Sequence, residues 1–216
     1  MILSISHDIK TPLSAIKLYS KALSKKLYKT EEKQHEIAES INAKADEIEN
    51  FISQIIKASS EDFLDLQVEN TEFYLTDLIT KIKNYYSEKL LLLHINFAVG
   101  DFSNCLLCGD LNRSIEVLQN IIENAIKYGD GHKISIEFSR EEECQLVTVT
   151  NSGCTLSENE IPHMFDSFWR GSNVSTSNGS GLGLYICRQL MNKMNGDIYA
   201  HMKGEEIEVA CVFEKM

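Results

Sequence analysis

The first 62 residues contain no glycine and a single proline, Pro12, and their apolar residues recur at helical spacing. One stripe runs through Ile2, Ile9, Leu13, Ile16, Leu23 and Leu27, with Ser6 and Ser20 filling two slots of the same pattern. A second runs through Ile37, Ile41, Ala45, Ile48, Ile52 and Ile55, and Thr30 stands where it can cap the helix that carries it. Such a stretch has few folds open to it besides two long helices in an antiparallel hairpin. A lone hairpin leaves much of each stripe in water. Pairing two hairpins by two-fold symmetry into a four-helix bundle covers both stripes, so burial alone predicts a homodimer. Packing of the hairpin on the rest of its own chain is the alternative.

From about residue 63 the periods mix. Helical spacing returns over 73–90 and 111–127, while strand-like alternation marks 134–138, 146–149 and 208–213. Turns are expected at Asp130-Gly131 and Glu142-Glu143. A further helix should start just after Gly183, run to about Lys193 and stop at Asn195-Gly196. This part reads as an α/β sandwich, a mixed sheet with helices on one face. The fold class is therefore α+β, with domains expected at 1–62 and 66–216.

Lys and Arg number 21 against 32 Asp and Glu, a net charge of −11. A surface that acidic disfavours phosphate backbones and anionic lipid, so no nucleic-acid partner is expected. It leaves room for a small anion held by local amides and cations. No run of about 18 apolar residues suits a spanning helix, and the amino terminus lacks the layout of a secretory signal. The six cysteines read as reduced thiols of a cytoplasmic protein. Cys105 and Cys108 have metal-ligand spacing, but no second pair completes four ligands.

Four segments carry residues suited to chemistry. In Ser6-His7-Asp8-Ile-Lys-Thr11-Pro12, His7 falls at the flank of the apolar stripe. The Asp8 carboxylate can reach Nδ1 of that imidazole, fixing the tautomer with a bare, more basic Nε2. Pro12 removes one helical hydrogen bond and bends the helix just beyond. From these residues alone, a surface histidine beside a surface acid remains the alternative. In Asn120-Ile-Ile-Glu-Asn124-Ala-Ile-Lys127-Tyr128, positions 120, 124 and 127 share one helical face. Two carboxamides and an ammonium suit a hydrated divalent ion and its phosphates, or form an ordinary solvated face.

Gly179, Gly181 and Gly183 alternate just before a helix, where backbone amides and the helix dipole favour an anion. Phe165, Phe168 and Trp169 precede the polar stretch 171–178, a layout that suggests a flap on an aromatic anchor. Asn151-Ser-Gly153 ends a strand; it can hydrogen-bond a planar heterocycle or simply be a turn.

Taken together and in this order, these segments resemble the catalytic core of a bacterial sensor histidine kinase of the two-component type. Residues 6–12 match the family's H-box, 120–128 its N-box, Phe165 to Arg170 its F-box and 179–184 its G2-box. The resemblance implies a dimerisation and phosphotransfer hairpin followed by an ATP-binding domain of the Bergerat fold. It implies that His7 accepts a phosphoryl group from ATP through Nε2, with Asp8 as activating base. Asn120 and Asn124 would hold Mg²⁺, Lys127 would contact phosphate, and Tyr128 would lie against the adenine. Gly179, Gly181 and Gly183, with Leu182 among them, would line the triphosphate, and Arg170 would partner the γ-phosphate. The phosphoryl group would pass to the receiver domain of a response regulator. The Asp8-Ile-Lys-Thr11 pattern implies a phosphatase activity toward that partner, with Thr11 positioning water.

One position departs from the family. Its G1-box carries an Asp that accepts from the adenine amine, where this chain has Asn151, followed by Gly153. A carboxamide oxygen still accepts that bond, without charge assistance. Related ATPases place a water-activating glutamate where this chain has Asn120, which favours a kinase over a hydrolase. A binding-only relative that signals through dimerisation is the second rival. The six residues ahead of His7 suggest a cytoplasmic piece of a protein anchored in the bacterial membrane through an upstream segment.

Overall fold

The computed structural model describes residues 2–25, 27–28, 30–58, 66–172 and 181–215, and falls into two compact units, Met1–Asp65 and Leu66–Met216. In the first unit, α1 (Ile2–Ser24) and α2 (Glu31–Ala58) pack against each other as a hairpin. Thr30 caps α2, its Oγ1 accepting from the Lys33 amide at 3.4 Å. Among the described side chains of the hairpin only Pro12 and Ala22 are buried. Ile16, Leu23, Ile37, Ile41, Ala45 and Ile48 are half-buried, and Leu13 and Leu18 are exposed. The apolar stripes are thus only partly covered within one chain.

The second unit runs β1 (Thr71–Tyr74), α3 (Leu75–Leu92), β2 (Asn96–Val99), β3 (Leu106–Gly109), α4 (Leu111–Tyr128), β4 (Lys133–Glu141), β5 (Cys144–Asn151), α5 (Gly183–Lys193), β6 (Asp197–Lys203) and β7 (Glu206–Glu214). Five strands form a mixed sheet in the order β2-β4-β5-β7-β6, in which only β2 and β4 pair in parallel. β1 and β3 form a separate antiparallel pair. Strand alternation explains the core. Ile136, Val149 and Val209 stand in register across three strands, as do Val147, Cys211 and Ile198, and all six are buried. Over them lie Leu78, Ile82, Leu118, Ile122 and Leu190 of α3, α4 and α5.

Helix α4 decides where the polar residues point. Its start is fixed by Asp110, whose carboxylate accepts from the amides of Asn112 and Arg113 at 2.9 and 3.1 Å. Its inner face, Val117, Leu118, Ile121, Ile122 and Ala125, is buried at helical spacing. On another face, the hydroxyl of fully buried Tyr86 donates to Glu123 at 2.8 Å, and Lys89 pairs with the same oxygen at 2.6 Å. These contacts lock the rotation of α4 against α3. The helix that precedes β6 stops as expected at residues 195–196, although Asn195, rather than Gly196, takes the left-handed conformation (φ 58°). The expected turn at Glu142-Glu143 joins β4 to β5, with Glu142 at φ 46°.

Candidate nucleotide-binding site

Beside the carboxyl-terminal half of α4 lies a cleft of about 240 Å³. Ile121 and Ala125 of α4, Leu156, Met164, Ile207 and Val209 give it an apolar floor. Asn124, Lys127 and Tyr128 enter from α4, Asn151 from the end of β5, Trp169, Arg170 and Gly171 from the loop before α5, and Gly181 and Gly183 from its start. Eight residues singled out in the sequence therefore meet at one cleft: Asn124, Lys127, Tyr128, Asn151, Trp169, Arg170, Gly181 and Gly183. None of the described residues that line it is acidic. A flat apolar floor with carboxamides, cations and glycine backbone at the rim suits a planar base joined to an anionic tail.

Asn120 stands one turn earlier on α4, at the edge rather than in the wall. Its amide nitrogen donates to the Glu116 carbonyl at 3.0 Å. Its Oδ1 is left facing Gly183, where an added Cβ would lie only 3.2 Å away. The Lys127 ammonium lies 5.0 Å from the Tyr128 ring centroid, over its face. Among the described residues no group of three His, Cys, Asp or Glu side chains is placed to hold a metal. Carboxamide oxygens beside the glycine-rich loop are a donor set that fits a hard divalent ion sharing its shell with phosphate and water. Cys105 immediately precedes β3 and Cys108 lies within it, and the Cys105 thiol donates to Gln145 Oε1 at 3.6 Å.

The end of α4 and the end of β5 are stitched together through Asp130, a residue read from sequence only as a turn. Its Oδ1 accepts from the Ser152 hydroxyl at 2.6 Å and from the His132 amide at 2.9 Å. The Ser152 hydroxyl first, then the His132 amide, hold this carboxyl below its ordinary range. Gly153 takes φ +75° against it; a Cβ there would fall 2.3 Å from the Cβ of Asp130. Asn151 is buried, and its Nδ2 donates to the Ser152 carbonyl at 3.2 Å. Only the amide nitrogen can face that carbonyl, so Oδ1 is the group left to accept from a ligand.

On the opposite wall, the Phe168 amide donates to the Gly181 carbonyl at 3.0 Å. Leu182 is the residue that caps α5, its carbonyl accepting from Ile186 at 2.9 Å, and it does not line the cleft. Gly179 lies outside the described residues. On the hairpin, His7 and Asp8 belong to α1, and their side chains lie outside the described residues. Thr11, one turn further along α1, is exposed, and Pro12 follows inside the helix. The lining residues Cys154, Leu156, Met164, Ile207 and Val209 escaped the sequence reading, because only β7 and the segment after β5 bring them to α4.

A mixed sheet under three helices, with a cleft opening between a polar helix face and a glycine-rich loop, defines an ATPase domain of the kind shared by kinases, topoisomerases and chaperones. Residues 109–214 match the family described as histidine kinase-, DNA gyrase B- and HSP90-like ATPase, and residues 1–63 match the His Kinase A (phospho-acceptor) domain. The chain belongs to the histidine kinases and comprises a sensor histidine kinase catalytic core. It is 31% identical over 205 residues to hybrid signal transduction histidine kinase F of Dictyostelium discoideum, covering 90% of this chain and 18% of that protein. It is 26% identical over 212 residues to sensor protein VanSC of Enterococcus gallinarum, covering 96% and 58%. The chain thus spans a fraction of the length of these relatives. The solved catalytic domain of histidine kinase ThkA superposes with a TM-score of 0.60 at 29% identity, covering 68% of this chain and 96% of that one. ThkA in complex with response regulator protein TrrA gives a TM-score of 0.64 at 24% identity, over 100% of this chain and 61% of that one, a likeness of fold.

Proposed function

We propose that this chain transfers the γ-phosphoryl group of ATP to His7 and then to an aspartate of a response regulator. The observation that carries this reading is the cleft itself. Asn124, Lys127 and the glycines converge on it, and none of its described wall residues is a carboxylate able to activate water. Glu123, the one acid inside the α4 motif, is already engaged by Tyr86 and Lys89. A site that binds a triphosphate without a base for water needs a nucleophile that arrives from outside it. The hairpin supplies His7.

In this mechanism the adenine lies on the apolar floor against Tyr128, with its amine donating to Asn151 Oδ1, and Gly153 keeps the turn close beneath. Asn120 and Asn124 would hold Mg²⁺ through their carboxamide oxygens, which would supply charge neutralisation at the phosphates. Lys127 and Arg170 add fixed positive charge, and Gly179, Gly181 and Gly183 present backbone to the triphosphate. The Nε2 lone pair of His7 attacks the γ-phosphorus, the bond to the β–γ bridging oxygen breaks, and ADP leaves. Asp8 accepts the Nδ1 proton as the imidazole gains charge. An aspartate of the receiver domain then attacks phosphorus, breaking the P–Nε2 bond and freeing His7. With no phosphohistidine present, Thr11 positions water against the regulator's acyl phosphate. ThkA, whose catalytic domain is similar to this chain, has been solved with a response regulator, which supports that class of partner.

In this reading residues 1–62 form the dimerisation and phosphotransfer domain and 66–216 the catalytic domain. The half-buried stripes of α1 and α2 support a homodimer, since a second hairpin would cover them. Among the described residues no helix is long and apolar enough to cross a membrane. Attachment of the longer protein to the bacterial membrane, with this chain in the cytoplasm, belongs to the same proposal.

The test is incubation of the purified chain with γ-labelled ATP and Mg²⁺ beside His7→Gln and Asn124→Ala. Acid-labile label on the wild type and on neither variant is the expected result. Label on His7→Gln would overturn the assignment of the acceptor, and label on Asn124→Ala that of the metal site.

A further inference from the structure

We propose that Glu160 is a positioning residue for the nucleotide site: fastened at once to Ser157 and Ser172, its carboxylate sets the place of Arg170 and Gly171 in the cleft wall. This rests on the reading of the cleft as an ATP site. Glu160 Oε2 accepts from the Ser157 amide at 2.9 Å, from the Ser157 hydroxyl at 2.8 Å and from the Ser172 hydroxyl at 3.0 Å. Its Oε1 accepts from the Ser172 amide at 2.8 Å. One carboxylate thus takes four donors from two points fifteen residues apart.

Half of this arrangement is ordinary. Ser157 and Glu160 stand three apart, just before the 3-10 turn Ile161–His163, in the spacing of a capping box. Capping needs nothing from Ser172. That residue directly follows Trp169, Arg170 and Gly171, all three of which line the cleft. At the other end of the same segment, the Phe168 amide is tied to the Gly181 carbonyl at 3.0 Å. The cleft-lining residues therefore lie between two tied points, Phe168 and Ser172, with the Trp169 amide also donating to the Asp166 carbonyl at 3.3 Å and Gly171 as the flexible link beside Ser172. Removing the tie at Ser172 frees rotation about Gly171 and loosens the backbone that carries Arg170 into the cleft wall. The four donors, led by the Ser157 and Ser172 amides, pull the Glu160 carboxyl down to about 2, so the acceptor stays ionised at neutral pH.

The chain has a single tryptophan, Trp169, which sits inside the tethered segment and reports on it directly. The experiment compares wild type, Glu160→Gln, Ser172→Ala and Ser157→Ala by three measurements: calorimetric ATP affinity, KM for ATP in autophosphorylation, and acrylamide quenching of Trp169 without nucleotide. Glu160→Gln is expected to weaken ATP binding and raise KM about three- to tenfold, with a smaller loss in kcat and stronger quenching of Trp169. Ser172→Ala should move the same readouts in the same direction, and Ser157→Ala should leave ATP affinity within about twofold. Equal affinity and quenching in wild type, Glu160→Gln and Ser172→Ala would overturn the proposal. So would a Ser157→Ala defect as large as that of Ser172→Ala, which would reduce Glu160 to a helix cap. Absence of ATP binding by the wild type would instead sink the reading of the cleft, while the quenching series would still show whether Glu160 holds the segment.

Discussion

The backbone amide of Phe168 donates to the carbonyl of Gly181 at 3.0 Å, and both residues lie in the left-handed region, at φ 61° and 67°. Thirteen positions apart, they are joined so closely that a Cβ on Gly181 would fall 2.6 Å from the Phe168 carbonyl carbon. The contact fastens the aromatic segment before the glycine-rich loop to the residue that leads into α5.

Gly181→Ala follows from that contact. The new methyl group meets backbone, which cannot swing aside, and a left-handed alanine costs about 1–2 kcal/mol. The loop must shift away from Phe168. ATP affinity, read by calorimetry, should fall at least about tenfold, while circular dichroism of the sheet stays unchanged.

Asn151→Asp tests the departure in the strand-end turn. In the proposed adenine site a carboxylate would be a stronger acceptor, but it cannot donate to the Ser152 carbonyl, which Asn151 does at 3.2 Å. Two acceptors then face each other in a buried position. The nucleotide-free variant should lose about 1–2 kcal/mol of stability. Its melting temperature should also rise more on adding ATP than that of the wild type. A nucleotide-free melting temperature equal to the wild type would show that the Ser152 bond contributes nothing.

Thr11→Ala separates the two activities of the hairpin. Thr11 is exposed on α1 and lies a turn beyond His7 in the helix. Autophosphorylation should continue at the wild-type rate. Dephosphorylation of a phosphorylated regulator should slow at least about tenfold, the loss expected when a nucleophilic water is no longer oriented.

Glu160 carries a pH dependence whose sign is set by its depressed carboxyl, at about 2 against an ordinary 4.5. Its contribution is fully present above the ordinary value and is lost as pH falls toward the folded one. Thermal melts of wild type and Glu160→Gln should differ by a constant margin from pH 8 to about 5, and the margin should shrink below 4.5 and close only as pH approaches about 2. A margin that closes between pH 8 and 6 would assign the dependence to another group.

Much of this architecture was legible because helices and inner strands write themselves locally. The stripes of α1 and α2, the buried face of α4 and the alternation of β4, β5 and β7 each repeat within a few residues. The spacing of 120, 124 and 127 placed them on one helical face without any knowledge of what lay opposite. The outer strands β2 and β6 carried no comparable signal. Asn96–Val99 and Asp197–Lys203 are short or half-exposed, and pairing at the sheet edge, rather than their own pattern, makes them strands. The Cys105–Cys108 spacing, which lacked a second pair to complete a metal site, falls immediately before strand β3 and inside it.

What the amino-acid order determined by itself was the division into a helical hairpin and a mixed sheet domain, and the faces on which the polar residues of α4 stand. Periodicity acts over one or two turns, and side chains within that span meet whatever the rest of the chain does. Only the tertiary structure decided that Asn151 and Asn124 share a cleft, that Asp130 ties to Ser152, and that Glu160 reaches Ser172. Those meetings depend on sheet register and loop closure, which the packing of the whole core sets and no local pattern encodes.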